Sequence, residues 1–254
     1  MDIKMIAVDL DGTLFRDDKT VSDRTITALK KCRDKGIKVI YATARGNSAE
    51  QLVPGYLFDG CIRMNGAVAY ADGLQVYSKR ISTSEVKNLL LAADNAGIRF
   101  SAELGGSHYT NFAFPEDWGL DFNTRYEISD FNTLDIEVEK IWALPETEAE
   151  IEVLKKHMQK GHYIITARDD NFTMIMHEDA KKANAVDALA NHWNISSSDI
   201  AAFGDDLIDI SMLEFCGVGI AMGNAIDEVK SVADYICDTN ENDGIAKWLE
   251  EYII

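Results

Sequence analysis

Two groups of aspartates are spaced so that their carboxylates could share a cation. Asp9 and Asp11 stand one residue apart, directly after the apolar run 5–8, and Gly12 follows them. Asp205, Asp206 and Asp209 come directly after a second apolar run, 200–203, and Gly204. Ionised carboxylates this close repel one another unless a cation or a shared proton intervenes. A hard divalent ion such as Mg²⁺, with oxygen ligands and a few retained waters, meets that need. Each group also has a plainer reading. Asp-x-Asp-Gly is a common turn composition, and acidic residues at a helix N-terminus stabilise the helix without any metal. Two such groups in one chain, with Asp205 and Asp209 one helical turn apart, favour the cation.

These residues need rigid elements to hold them. Residues 5–8 read as a strand buried on both faces, and in an open α/β sheet ligands collect outside the carboxyl ends of the strands. A helix is expected over 23–35, with Ser22 as N-cap and Gly36 as its end. A second buried strand over 37–42 completes a βαβ unit and runs into Thr43 and Arg45. Taken alone, Thr43 is a β-branched residue ending a strand, and Arg45 is an ordinary exposed arginine. A short helix at 48–52, a strand at 61–64 and a hairpin over 68–77 follow, the hairpin flanked by the turn signals Asn65-Gly66 and Asp72-Gly73.

From about residue 81 the pattern changes. Helices over 84–96 and 146–160 each precede a strand pair, 99–103 with 108–113 and 163–168 with 172–177, the second hairpin turning at 169–171. A short helix or loop at 115–123 and a strand at 138–144 lie between them. One helix and two strands, given twice, suit a helix-on-sheet lid better than a continued parallel sheet. Its polar residues Glu103, Asn111, Asp170 and Asn171 lean toward a sugar phosphate as substrate. Its histidines His108, His162 and His177 read as satisfied strand residues.

The first pattern resumes near residue 180. Lys181 and Lys182 precede a helix carrying Ala185, Val186, Leu189 and Ala190. Strands over 200–203, 217–222 and 233–237 and a last helix over 243–252 complete the chain. The expected architecture is α/β, a Rossmann-like parallel-sheet core of residues 1–80 and 180–254 with an inserted α/β domain over 81–179.

The 254 residues suffice for one large domain or two modest ones. A net charge of −18 disfavours a broad nucleic-acid or anionic-membrane surface. No apolar run approaches the roughly 20 residues that cross a bilayer. The chain enters its first strand without the features of a signal peptide, so the expectation is a cytoplasmic protein. Cys32, Cys61, Cys216 and Cys237 form no close pair and read as small buried hydrophobes. Oligomeric state is not legible.

The motifs together resemble those of the haloacid dehalogenase (HAD) superfamily. Asp9-Leu-Asp-Gly-Thr13 is similar to its first motif, Thr43-Ala-Arg45 to its second, Lys182-Ala-Asn-Ala-Val186 to its third and Gly204-Asp-Asp-Leu-Ile-Asp209 to its fourth. The inserted domain resembles the cap of the Cof-type, subclass IIB phosphatases. The resemblance implies Asp9 as nucleophile and Asp11 as general acid/base. It also implies a Mg²⁺ ion held by Asp9, Asp11 and Asp205 with support from Asp209 and Asp206, and a phosphoryl group held by Thr43, Arg45 and Lys182. The motif register selects Lys182 over Lys181. Ala44 and Ala183 replace glycines of the pattern, and Ile208 replaces its asparagine, so any contact that asparagine makes is missing here. The implied activity is hydrolysis of a small phosphorylated metabolite. A phosphomutase on the same core, or a phospho-ligand sensor without catalysis, is the competing reading.

Overall fold

The computed structural model describes residues 1–116, 125–166 and 171–254. The chain divides into two compact units, residues 1–78 with 181–254 and residues 79–180. In chain order the first unit begins with β1 (Met5–Asp9), α1 (Asp23–Asp34), β2 (Lys38–Ala42), α2 (Ala49–Leu52), β3 (Gly60–Arg63), β4 (Val68–Ala71) and β5 (Leu74–Ser78). The second unit supplies β6 (Ile81–Ser82), α3 (Lys87–Asn95), β7 (Arg99–Leu104), β8 (Ser107–Thr110), β9 (Arg125–Ile128) and β10 (Glu137–Val138). It continues with β11 (Lys140–Leu144), α4 (Glu148–Lys156), β12 (His162–Thr166) and β13 (Thr173–His177). The chain then returns to the first unit through α5 (Lys182–His192), β14 (Ile200–Gly204), α6 (Ile210–Phe215), β15 (Val218–Ala221), α7 (Asp227–Val232), β16 (Tyr235–Ile236) and α8 (Gly244–Tyr252).

The first unit is built on a sheet ordered β16-β15-β14-β1-β2-β3-β4-β5, parallel from β16 through β3 and antiparallel for the last two strands. Every residue of β1 and of β14 is buried, as expected for strands covered on both faces by helices. The sequence supplies the helices by simple rules. Ser22 caps α1 by accepting the Thr25 N–H at 3.1 Å, and Ala28, Leu29 and Cys32 form its buried stripe. In α5 the buried positions Lys182, Ala185, Val186, Leu189 and Ala190 recur at three- and four-residue spacing. A lysine thus stands first on an otherwise apolar stripe.

The chain order matters for the site. β1 leads to β2 on one side and lies beside β14 on the other, so the direction of winding reverses between β1 and β14. That is the point at which an open α/β sheet leaves a crevice for a ligand.

The second unit is a sheet ordered β12-β13-β11-β7-β8-β9, antiparallel except for the parallel β8–β9 pair, with a separate β6–β10 ribbon. Leu89, Leu90 and Ala93 of α3 and Leu154 of α4 share a core with Phe100, Ala102, Ile141, Ala143 and Ile175 of the sheet. The doubled helix-and-strand-pair pattern is therefore present, with β9 and the ribbon added. β9 escaped sequence reading because all four of its residues are exposed, leaving no half-buried alternation to detect. The expected short helix or loop at 115–123 falls mainly outside the described residues, as do residues 167–170 of the second hairpin. No helix among the described residues is long and apolar enough to cross a membrane.

Phe203 sits in β14 with no exposure and packs edge-on against Trp248 of α8 at a 5.4 Å centroid distance. Phe203→Ala should cost about 3–5 kcal/mol of stability, read as a lowered urea midpoint with an unchanged slope.

Candidate active site

The parallel register pairs Val8 with Phe203, so the carboxyl ends of β1 and β14 release Asp9 and Asp205 side by side. Asp9 is only 5% exposed. Lys182, at the start of α5, is fully buried and donates to Asp9 Oδ1 at 2.5 Å and to Asp209 Oδ1 at 2.6 Å. The other Asp209 oxygen accepts the backbone N–H groups of Asp205 at 3.0 Å and Asp206 at 3.1 Å. Asp209 therefore fixes both the lysine and the loop that presents Asp205. The Thr13 hydroxyl donates to Asp205 Oδ1 at 2.6 Å. Two glycines make the approach possible. Gly12 has φ +79°, and a Cβ on it would collide with the Asp205 carboxylate, while a Cβ on Gly204 would come within 2.5 Å of Asp209 Cβ.

Burial pushes the Asp9 carboxyl well above its ordinary value; Lys182 opposes this, and Asp209 and Asp205 add to it. Burial, then Asp209, pushes Asp205 up to about 7. Burial alone would lower Lys182, but Asp209 and Asp9 outweigh it and raise the ammonium above its usual range. Asp9, Asp205 and Asp209 each offer an oxygen within 4.8 Å of the others. Three carboxylates against one ammonium leave two negative charges without a counterion. Hard oxygen donors with that charge fit a divalent cation such as Mg²⁺.

Asp11 lies on the more open side. Its carboxylate takes a two-pronged contact from Arg45, Nε to Oδ2 at 2.5 Å and Nη2 to Oδ1 at 2.7 Å, and a third bond from Lys19 Nζ at 2.9 Å. Burial would raise its pKa, but Arg45 and Lys19 outweigh that and hold it low. Thr43 is buried at the end of β2, where its hydroxyl oxygen accepts the Arg45 N–H at 3.1 Å. Its backbone carbonyl accepts the N–H of Asn65, which is buried with φ +53°.

The chain matches the haloacid dehalogenase-like hydrolase family over residues 6–249. It belongs to that family. A 5-amino-6-(5-phospho-D-ribitylamino)uracil phosphatase of Bacillus subtilis is 30% identical over 257 residues, covering 100% of this chain and 97% of the relative. A HAD-superfamily phosphatase of Bacteroides thetaiotaomicron has a solved structure that is similar with a TM-score of 0.83 at 29% identity, covering 98% of this chain and 94% of that one. A HAD subclass IIB sugar phosphatase superposes with a TM-score of 0.81 at 27% identity, covering 98% of each chain. The chain is a HAD-type phosphatase, a phosphoric monoester hydrolase.

Of the residues singled out in the sequence of this phosphatase, Asp9, Lys182, Asp205 and Asp209 are brought together. Arg45 is paired with Asp11. Asp206 is placed differently. Its side chain accepts the Leu207 N–H at 2.7 Å and caps the short 3₁₀ turn that precedes α6, outside the acidic cluster. The plain helix-cap reading holds for that residue. In the second unit Asn111 is a structural tie: its side chain accepts from Phe100 N and donates to Asp94 and to the Ile98 carbonyl. Glu103 lies 3.7 Å from Lys140 and 3.8 Å from His108. Asp170 falls outside the described residues. The sugar-phosphate lean drawn from these polar residues thus loses Asn111 as a contact. His162 is not satisfied as expected. Its side chain is 4% exposed, and neither ring nitrogen has a hydrogen-bond partner among the described residues.

Sequence reading missed Thr13, Lys19 and Asn224, whose amide donates to the Gly12 carbonyl at 2.7 Å. Thr13 carried a signal, since it stands within the first motif. Lys19 is brought in by chain folding alone.

Lys182→Met leaves Asp9 and Asp209 buried without their cation, which should cost about 3–5 kcal/mol at pH 8 in the presence of a chelator. Asp9 would then stay protonated when folded and ionise when unfolded, so the unfolded chain binds fewer protons and stability falls as pH rises. The deficit should accordingly be smaller at pH 5 than at pH 8 in urea titrations; a deficit that shrinks toward pH 8 contradicts this electrostatic account.

Proposed function

We propose that this phosphatase hydrolyses a small phosphorylated metabolite through an aspartyl-phosphate, with Asp9 as nucleophile and Mg²⁺ as its metal. The reading is carried by the convergence of Asp9, Asp205 and the Lys182 ammonium at the ends of two adjacent parallel strands. Asp9, the Asp11 backbone carbonyl and Asp205 would hold the ion, with Asp209 in support. When bound, Mg²⁺ supplies charge neutralisation for the phosphoryl oxygens.

In the first step an Asp9 oxygen attacks phosphorus in line, the bond to the ester oxygen breaks, and Asp11 gives its proton to the departing alkoxide. In the second, water attacks the aspartyl-phosphate, Asp11 takes the proton of that water, and the bond from phosphorus to Asp9 breaks. Lys182 and the Thr43 hydroxyl fix the phosphoryl oxygens throughout. Asp11 can act as an acid only with a proton on one oxygen, and Arg45 occupies both. Guanidinium has no acceptor lone pair, so it cannot bond an O–H. Protonation of Asp11 removes the charge that holds this ion pair, so Arg45 transfers from Asp11 to the phosphoryl oxygens when substrate enters, and Asp11 takes the proton carried by the arriving phosphate monoanion. The paired arrangement and a phosphate-binding role for Arg45 are then two stages of one cycle.

The relatives' names support a substrate class. One describes a phosphate on a ribityl chain and another a sugar phosphate, and both are alkyl phosphates on a polyhydroxylated carbon chain. This chain is proposed to act on such an ester, with the inserted unit of residues 79–180 carrying the selectivity.

Asp9→Asn should release no phosphate from any ester while its circular dichroism and melting temperature stay near those of the parent. Full activity in that variant would rule out the nucleophile. Exhaustive chelation should abolish turnover, and Mg²⁺ should restore it; turnover that survives chelation would remove the metal. In a panel of phosphate esters assayed with Mg²⁺, sugar and polyol phosphates should exceed phosphoserine and nucleoside monophosphates by tenfold or more in kcat/KM, on the order of the discrimination a few contacts provide.

A further inference from the structure

We infer that Lys19 is a positioning residue for Asp11, holding one carboxyl oxygen so that the other faces the leaving group; this rests on the acid/base reading of Asp11. The starting point is a backbone anomaly. Lys19 has φ +64°, a left-handed conformation that glycine and asparagine adopt readily and lysine does not. Nothing in the packing of Lys19 repays it, since its side chain is 48% exposed.

The turn that imposes this conformation is determined many times over. The Arg16 N–H donates to Thr20 O and the Lys19 N–H to Arg16 O, both at 2.9 Å. Asp18 Oδ1 accepts both the Thr20 N–H at 2.9 Å and the Thr20 hydroxyl at 2.6 Å. The C-terminal segment pins the turn from outside. Asp243 accepts from Arg16 at 2.8 Å, Glu241 accepts the Asp17 N–H at 2.7 Å, and the buried Asn240 amide donates to Phe15 O at 2.9 Å. A rigid turn with a strained residue at its tip aims one ammonium at one target, Asp11 Oδ1, at 2.9 Å. Strain of this kind concentrates at sites where geometry serves function.

The chemistry distinguishes Lys19 from Arg45. Arg45 bonds both Asp11 oxygens, and that two-pronged ion pair is weakened when Oδ2 takes a proton and the carboxylate loses its charge. Lys19 bonds Oδ1 alone. An N–H donor there is equally compatible with a carboxylate and with the carbonyl oxygen of a protonated acid. Lys19 can therefore stay in place through both protonation states, and it fixes Oδ2 as the oxygen that gives and takes the proton.

The test compares two esters by kcat/KM, which reports only the steps up to cleavage of the ester bond. One is p-nitrophenyl phosphate, whose leaving group departs without a proton; the other is the best alkyl phosphate of the panel above. Lys19→Gly relieves the backbone and removes the ammonium. It should lower alkyl-ester kcat/KM about tenfold, a fraction of what a general acid contributes, and aryl-ester kcat/KM by less than about threefold. Its melting temperature should match or exceed that of the parent, and Lys19→Asn, also comfortable at this φ, should behave in the same way. Lys19→Arg should keep alkyl-ester activity within about threefold of the parent. Equal losses on both esters, or no loss on either, would overturn the inference. Asp11→Asn separates the two levels of the argument. If it spares the aryl ester selectively and Lys19→Gly does not, only the inference about Lys19 fails. If Asp11→Asn lowers both esters equally, the acid/base reading fails and the inference falls with it.

Discussion

The site depends on one buried ammonium. Lys182 has no solvent contact and sits between two carboxylates, Asp9 and Asp209, that are themselves almost completely enclosed. Bringing those three charges out of water is costly, and their mutual attraction offsets the cost only with short, well-aligned contacts on every side. Here those contacts exist: two to the lysine, and two more from the backbone N–H groups of Asp205 and Asp206 to the far oxygen of Asp209. Moving any one of the partners would strand a charge. The arrangement therefore constrains the end of β1, the start of α5 and the loop after β14 together, and these are the segments on which the proposed chemistry rests.

The sheet makes this constraint easy to satisfy. β1 and β14 are neighbours, parallel and in a register that aligns their ends, and α5 leads to β14 in the chain and packs its apolar stripe against the sheet. The lysine heads that stripe, so the same burial that docks the helix also drives the ammonium inward. The glycines at 12 and 204 remove side chains where Asp205 and Asp209 must close in. Close packing and ion pairing are not independent here; each places the other.

How much of this was legible follows from how local each signal is. Asp9, Asp205 and Asp209 could be read because each stands at a fixed offset from a buried strand, and the resemblance distinguished Lys182, which is buried at the start of α5, from Lys181. Ile208, standing for the usual asparagine, was equally plain. The cap formed by Asp206 was not legible, because an aspartate beside a ligand position and an aspartate capping a turn have the same sequence context; only the direction of its side chain separates them. Arg45 was placed correctly at the end of β2, but its partner lies 34 positions away in the chain, and no local rule specifies that pairing. The core strands were clear from continuous apolar runs. β9 was not, since a fully exposed edge strand has no burial pattern to report.

Asp9 and Asp11 are separated by a single residue and yet occupy opposite electrostatic worlds. Alternation along an extended chain ordinarily places residues i and i+2 on the same face; here β1 ends at Asp9, and the turn through Gly12 carries Asp11 away from the buried cluster. Asp9 is enclosed, shares one lysine with a second carboxylate, and has its pKa driven upward by burial. Asp11 is partly open, faces two cations of its own, and has its pKa held down. Two carboxylates in such different surroundings can serve two roles in one reaction. The enclosed one is fixed in place by its neighbours, as a nucleophile must be. The open one can exchange partners and protons, as an acid and base must. The proposed division of labour between chemically identical side chains would then follow from where a strand stops and a glycine turns.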